Sequence, residues 1–130
     1  MSLVGNIADF AIAVGRELKS RITADHPGVA KAWVCFGYVG NAIVIRASFN
    51  VLSVTRLATG KYRVTFATPM PDAGYCWSAF ARNAGNQSAL KFASARVTAE
   101  TKTTTYVEVI CATQAGTLSD TTELNLMVFR

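Results

Sequence analysis

The hydrophobic pattern of this chain changes period once, at His26-Pro27-Gly28. Before that point apolar side chains recur at Leu3, Ile7, Ala11, Val14, Leu18 and Ile22, spacings that line one stripe of a helix, with Phe10 widening it. After it the period is two, that of a strand whose side chains alternate between faces. No single element satisfies both patterns. The chain is therefore expected to divide into a helical arm, residues 1–28, and a β body, residues 29–130. Proline turns the residue before it away from helix and glycine adds a second break. Asp9 near the start of the arm, with Lys19 and Arg21 near its end, suits the helix dipole.

At 1.5 Å per residue such a helix is about 30 Å long. An isolated helix of that length is marginal in water, so its stripe must dock. Two placements are open: against the chain's own β body, or against sister arms in a short parallel bundle. A strict heptad would bring Glu17 and Arg21 onto the seam, which argues against a long leucine-zipper dimer. The oligomerisation candidates are Leu3, Ile7, Phe10, Val14, Leu18 and Ile22.

The body reads as strands at Lys31–Tyr38, Ala42–Ile45, Asn50–Leu57, Lys61–Phe66, Tyr75–Arg82, Leu90–Val97, Thr105–Ala112 and Glu123–Phe129. Ala32, Val34 and Phe36 share a face opposite Trp33 and Cys35, and Tyr62, Val64 and Phe66 oppose Lys61, Arg63 and Thr65. Turn signals separate them at Gly40-Asn41, Thr59-Gly60, Pro69-Met70-Pro71-Asp72, Asn83-Ala84-Gly85-Asn86, and Gly116 with Ser119-Asp120. Short strands without intervening helices predict a mainly β fold: an antiparallel β-sandwich, jelly-roll-like, of about eight strands preceded by one N-terminal α-helix. The first and last strands are apolar on both faces, so they are central or buried against another subunit. Trp33 and Trp77 read as large buried anchors, in the core or at a subunit interface.

With 130 residues, 51% hydrophobic and 16% charged, the chain cannot be disordered, and a domain of this size cannot hide so much apolar surface by itself. That arithmetic already favours an oligomer. No apolar run reaches the ~18 residues of a membrane-spanning helix. Asp9 interrupts the apolar start, so residues 1–22 do not read as a signal peptide.

The inventory of chemistry is sparse. His26, the only histidine, sits at the helix stop and reads as a capping or surface residue. Without it no Ser-His-Asp set can be assembled, and no Gly-x-Ser-x-Gly elbow occurs. Cys35, Cys76 and Cys111 lie inside predicted strands without zinc-type spacing and read as small buried hydrophobes, with a disulfide between two of them left open. Asp72, Glu100, Glu108, Asp120 and Glu123 are dispersed among turns and strands, and no phosphate or calcium loop occurs. The chain is expected not to be an enzyme and to need no cofactor or metal. Its net charge of +5 belongs to the body, since Arg16, Lys19 and Arg21 balance Asp9, Glu17 and Asp25 in the arm. The body's basic residues are spread singly, as solvated strand faces would be. They could also attract an anionic host polysaccharide, but no basic cluster interleaved with aromatics marks a nucleic-acid groove.

Four segments occur in order: Lys31-Ala32-Trp33-Val34; Ile45-Arg46-Ala47-Ser48-Phe49-Asn50-Val51; Thr59-Gly60-Lys61-Tyr62-Arg63-Val64-Thr65-Phe66; and Met70-Pro71-Asp72-Ala73-Gly74-Tyr75. Together they resemble a domain common at the C-terminal end of tailed-bacteriophage tail fibres and related virion proteins. The resemblance spans Lys31 to Tyr75 and gives way to generic alternating strands from Cys76 onward. It implies a non-enzymatic virion component, made in the host cytoplasm, forming homotrimers and contacting other virion proteins. Such a protein would be a tail-fibre or receptor-binding module engaging the host surface. A capsid decoration (head-fibre) protein is the second reading, and a small cellular lectin-like domain a distant third. Partners that are nucleic acid, or insertion into a membrane, are not expected. Binding residues usually lie in variable loops on a rigid scaffold. The receptor-contact candidates are accordingly Asn83, Asn86, Gln87 and Ser88 in one loop and Gln114 in a second, whose amides and hydroxyls suit sugar hydroxyls.

Overall fold

The computed structural model describes residues 2–21, 23–83 and 89–130, Arg21 by its backbone alone. Helix α1 runs Leu3–Arg21. The Ser2 hydroxyl caps it by accepting the Gly5 N–H at 3.1 Å, one of the donors a helix start leaves unpaired. Eight strands follow: β1 (Ala30–Val39), β2 (Ala42–Phe49), β3 (Val51–Ala58), β4 (Lys61–Phe66), β5 (Cys76–Arg82), β6 (Lys91–Ser94), β7 (Tyr106–Thr113) and β8 (Glu123–Phe129). All pairings are antiparallel. Two four-stranded sheets result, sheet A in the order β2-β1-β8-β5 and sheet B in the order β3-β4-β7-β6. The mainly β fold with one leading helix is the one the sequence predicts.

The connections show why the chain folds this way. Gly40 and Asn41 both take positive φ, 60° and 63°, the left-handed pair that a two-residue hairpin turn needs. Between β2 and β3 a single residue carries the chain from sheet A to sheet B. That residue is Asn50, at φ 53°, a conformation asparagine tolerates better than most side chains. Its amide donates to the Lys31 carbonyl at 3.0 Å and the Thr68 carbonyl at 3.1 Å, while its Oδ1 accepts the Thr68 N–H at 2.7 Å. Asn50 is thus a corner clamp rather than the strand start expected of it. The strand expected over Leu90–Val97 shortens to Lys91–Ser94, because the chain then turns through Arg96–Glu100.

The core lies between the sheets and is built from their central strands. Ala32, Val34 and Phe36 from β1 and Leu124, Leu126 and Val128 from β8 face Tyr62, Val64 and Phe66 from β4 and Val107, Val109 and Cys111 from β7. Phe36 meets Tyr62 edge-on at 5.2 Å, and Phe66 meets Tyr75 likewise at 5.7 Å. Trp77 packs against this core from β5. Trp33 does not. It points away from the core and is 39% exposed, so of the two placements expected for it, core or subunit interface, the core is ruled out. The apolar first and last strands are indeed neighbours at the centre of sheet A, but β1 keeps its second face open.

Candidate functional site

Strand register gives the sandwich two distinct ends. Ala30 and Cys76 both pair with Phe129, so the start of β1, the start of β5 and the chain terminus lie together with the arm. Arg82 pairs with Glu123 and Lys91 with Thr113, which collects the opposite turns at the far end. Asn83, which opens one predicted receptor loop, and Gln114 in the other both stand at that far end. Asn83 is half-buried, and its side-chain carbonyl accepts the Thr122 hydroxyl at 3.1 Å, so part of its amide is already engaged. Asn86, Gln87 and Ser88 lie outside the described residues. Gln114 is exposed on a turn closed by the Thr113 N–H to Thr117 carbonyl bond at 2.8 Å, with Gly116 at φ 84°.

Asp120 organises the same end. Its carboxylate accepts from Arg56 at 2.8 and 3.1 Å, the Gly60 N–H at 3.0 Å and the buried Tyr62 hydroxyl at 2.7 Å. The Arg56 bonds, aided by Gly60 and Tyr62 against the cost of burial, hold the carboxyl at about 2. Arg56 also lies 4.5 Å over the Tyr38 ring. Burial and the bond to Asp120 together push the Tyr62 phenol up. The loops therefore stand on a fixed base.

At the other end the arm is uncovered. Leu3, Ile7, Phe10 and Leu18 are more than half exposed, and Val14 is 41% exposed. No described side chain of α1 is buried, so the stripe finds no cover on its own β body. Ile22 lies outside the described residues. Beside the base of the arm runs an open groove of about 660 Å³, its apolar walls including Val29, Ala30, Phe49, Met70 and Pro71.

The outer faces of the two sheets differ. On sheet B, β4 and β7 turn Lys61, Arg63 and Glu108 outward, and residues 95–103 fold over them. Glu108 accepts from Arg63 at 2.7 Å and from the Thr101 N–H at 2.9 Å, with Lys61 3.6 Å away. Glu100 is held by Arg96 at 2.6 Å, and Lys61 donates to the Ala99 carbonyl at 2.6 Å. Burial alone would push the Glu108 carboxyl up. The bonds from Arg63 and Thr101, with the Lys61 charge, more than offset it and hold the group at about 2. Sequence spacing did not reveal this cluster, since its carboxylates looked dispersed. On sheet A, register places Phe49, Trp33 and Met127 side by side across β2, β1 and β8, and Ala47, Cys35, Asn125 and Phe80 in the next row. Among the described residues no strap covers these rows, and Phe49 and Phe80 are 52% and 68% exposed.

The body's basic residues are mostly engaged within the chain. Arg56, Lys61, Arg63, Arg82, Arg96 and Arg130 make ion pairs, and Lys31, Lys91 and Lys102 donate to backbone carbonyls. They are not the simple solvated faces the sequence suggested. The cysteines are unlinked. Cys111 is buried as expected, but Cys35 is half-buried and Cys76 exposed, because both stand on the outer face of sheet A. His26 is exposed, its Nδ1 accepting the Gly28 N–H at 3.0 Å, which fits a capping residue. Among the described residues no group of His, Cys, Asp or Glu could hold a metal ion, and no helix is long and apolar enough to cross a membrane. No family model, curated protein or solved structure matches the chain.

Proposed function

We propose that this chain is a non-enzymatic structural protein of a bacteriophage virion, working as a homotrimeric tail-fibre or receptor-binding module that engages the host surface. The observation that carries this reading is the division of labour along the sandwich. An uncovered apolar helix stands at one end, and Asn83 and Gln114 stand at the other, on a base fixed by Asp120. The resemblance of residues 31–75 to phage fibre domains agrees with that arrangement. In this reading three arms bundle through Leu3, Ile7, Phe10, Val14 and Leu18, and the β bodies project outward. Most body cations are already paired, so recognition of a host polysaccharide rests on hydrogen bonds from loop amides such as Gln114 rather than on bulk charge.

Sedimentation of the full chain tests the assembly: a trimer is expected, and Val14→Asp with Leu18→Asp should give monomers. A pull-down on lipopolysaccharide from the bacterial host tests adhesion. Binding should be lost when Asn83, Asn86 and Gln87 are changed to alanine, and an absence of binding at every salt concentration counts against a receptor-binding role. Antibody labelling of virions in negative stain is expected on the tail. Labelling on the head would replace this reading with capsid decoration.

A further inference from the structure

We propose that the arm packs against sister arms in parallel and in register with an 11-residue period, as a straight or slightly right-handed bundle in which Glu17 of each copy faces Lys19 of the next. This geometry rests on the trimeric part of the reading above and deepens it by fixing how the arms meet.

The partner is a second copy because the chain's own body does not suit the stripe. No described side chain of α1 is buried, and the groove beside its base carries Asp25, Lys31 and Arg130, charges that an apolar stripe would have to strip of water. Size scaling for folded monomers gives about 6,700 Å² of accessible surface for 13.9 kDa, whereas this chain exposes 8054 Å², an excess of about 1,400 Å². The uncovered helix accounts for that excess, and a stable interface needs roughly 800 Å² from each partner. A sister arm offers an apolar stripe of the same length and spacing.

Spacing sets the period. Leu3 recurs as Val14 and Ile7 as Leu18, each 11 residues on, with Ala11 between them. An 11-residue period holds these five side chains within about 65° of one another around the helix. A seven-residue period spreads them over about 105° and sets Glu17 in one column with Leu3 and Phe10. The longer period instead leaves Glu17 and Lys19 on the two margins of the stripe, either side of Leu18, and turns Asp9 and Arg16 to the opposite side. Arg21 stands one turn beyond Glu17 on the same margin, the spacing of a favourable i,i+4 pair.

Charge sets the direction. A closed ring of parallel arms repeats one contact, so the Glu17 margin of each arm meets the Lys19 margin of the next. The two positions lie about 3 Å apart along the axis, within reach of an ion pair. Fully overlapped antiparallel arms would set Glu17 level with Ile7 and away from Lys19.

The test uses the full chain with Cys35→Ser and Cys76→Ser, which leaves only Cys111, buried in the core. In that background Leu18→Cys should cross-link to itself under mild oxidation. It should not cross-link to a mass-tagged Ile7→Cys chain co-assembled with it, which lies about 16 Å away along a parallel bundle. A Leu18–Ile7 adduct in excess of the Leu18 pair overturns the parallel arrangement. In sedimentation of the otherwise unaltered chain, Glu17→Lys should weaken trimerisation several-fold, and adding Lys19→Glu should restore it. Glu17→Leu should not tighten association. All these positions are exposed on α1, and far-ultraviolet circular dichroism will show that the helix is retained. A Glu17→Lys chain that associates undiminished, a swap that does not restore, or a tenfold tightening by Glu17→Leu overturns the 11-residue geometry and leaves an arm-driven trimer standing. A wild-type chain that sediments as a monomer overturns both.

Discussion

Glu108 and Trp33 occupy matching positions, each on the outward side of a central strand, one in sheet B and one in sheet A. Alternation alone would leave the glutamate in water and the tryptophan against apolar groups. The reverse holds: Glu108 is 4% exposed and Trp33 39%. The difference lies in what the chain itself can supply. Residues 95–103 bring a backbone N–H, a carbonyl and a second carboxylate to the Lys61–Arg63–Glu108 cluster, so the charged face closes with every partner satisfied. Among the described residues no segment brings apolar cover to Phe49, Trp33 and Met127. One face is completed within the chain; the other is left open among the described residues.

The largest expected effect lies on the closed face. Glu108→Ala leaves Arg63 and the Thr101 N–H without their acceptor beneath the strap, and Lys61 with one carboxylate neighbour instead of two. Removing one partner of a buried charge cluster typically costs about 3–5 kcal/mol. Urea unfolding should show a loss of that order, and a loss below about 1 kcal/mol would mean that the strap does not depend on the cluster.

Acid should act on the same face, and on the Asp120 cluster at the far end, in a defined direction. The folded-state carboxyls of Glu108 and Asp120 both lie at about 2, below their unfolded values. Their contribution to stability is therefore complete above about pH 4.5 and is lost as pH falls toward 2. For Glu108 the shift corresponds to roughly 3 kcal/mol at about 1.36 kcal/mol per unit. Unfolding free energy measured from pH 6 down to pH 2 should fall through that window, and Glu108→Gln, already without the ionisable group, should flatten much of the slope. A wild-type profile level to pH 2 would contradict the bonding described for both carboxylates.

The strands and their inward faces were legible in the sequence because period-two alternation records burial by the opposing sheet. Lys61–Phe66 and Glu123–Phe129 match to the residue for that reason. What alternation cannot encode is cover on the second side. Ile110 points outward by register yet is 6% exposed, while Trp33, expected in the core or at a subunit interface, does not enter the core. Asn50 was hidden differently. The sequence reading ends one strand at Ile45 and starts the next at Asn50, and only the positive φ and three hydrogen bonds of Asn50 reveal the corner. Of the candidate site, sequence periodicity located the uncovered arm stripe, and turn composition located the Gln114 turn. That Asn83 and Gln114 share one end followed only from strand register.

The smallest expected effect on the fold belongs to the open face, and its smallness is diagnostic. Trp33→Ser removes a large side chain that makes little contact with the core of its own chain, so the dilute, dissociated protein should lose less than about 1 kcal/mol, the range of ordinary surface substitutions. A comparable truncation of a buried core side chain costs about 2–5 kcal/mol. In the proposed trimer, binding of sister copies stabilises the folded state by mass action, so the wild-type melting temperature should climb with protein concentration. For Trp33→Ser the melting temperature at high dilution should stay near the wild-type value. A variant that melts early at every concentration by the same margin would place Trp33 in the fold of the single chain, and the contrast between the two outer faces would lose its meaning.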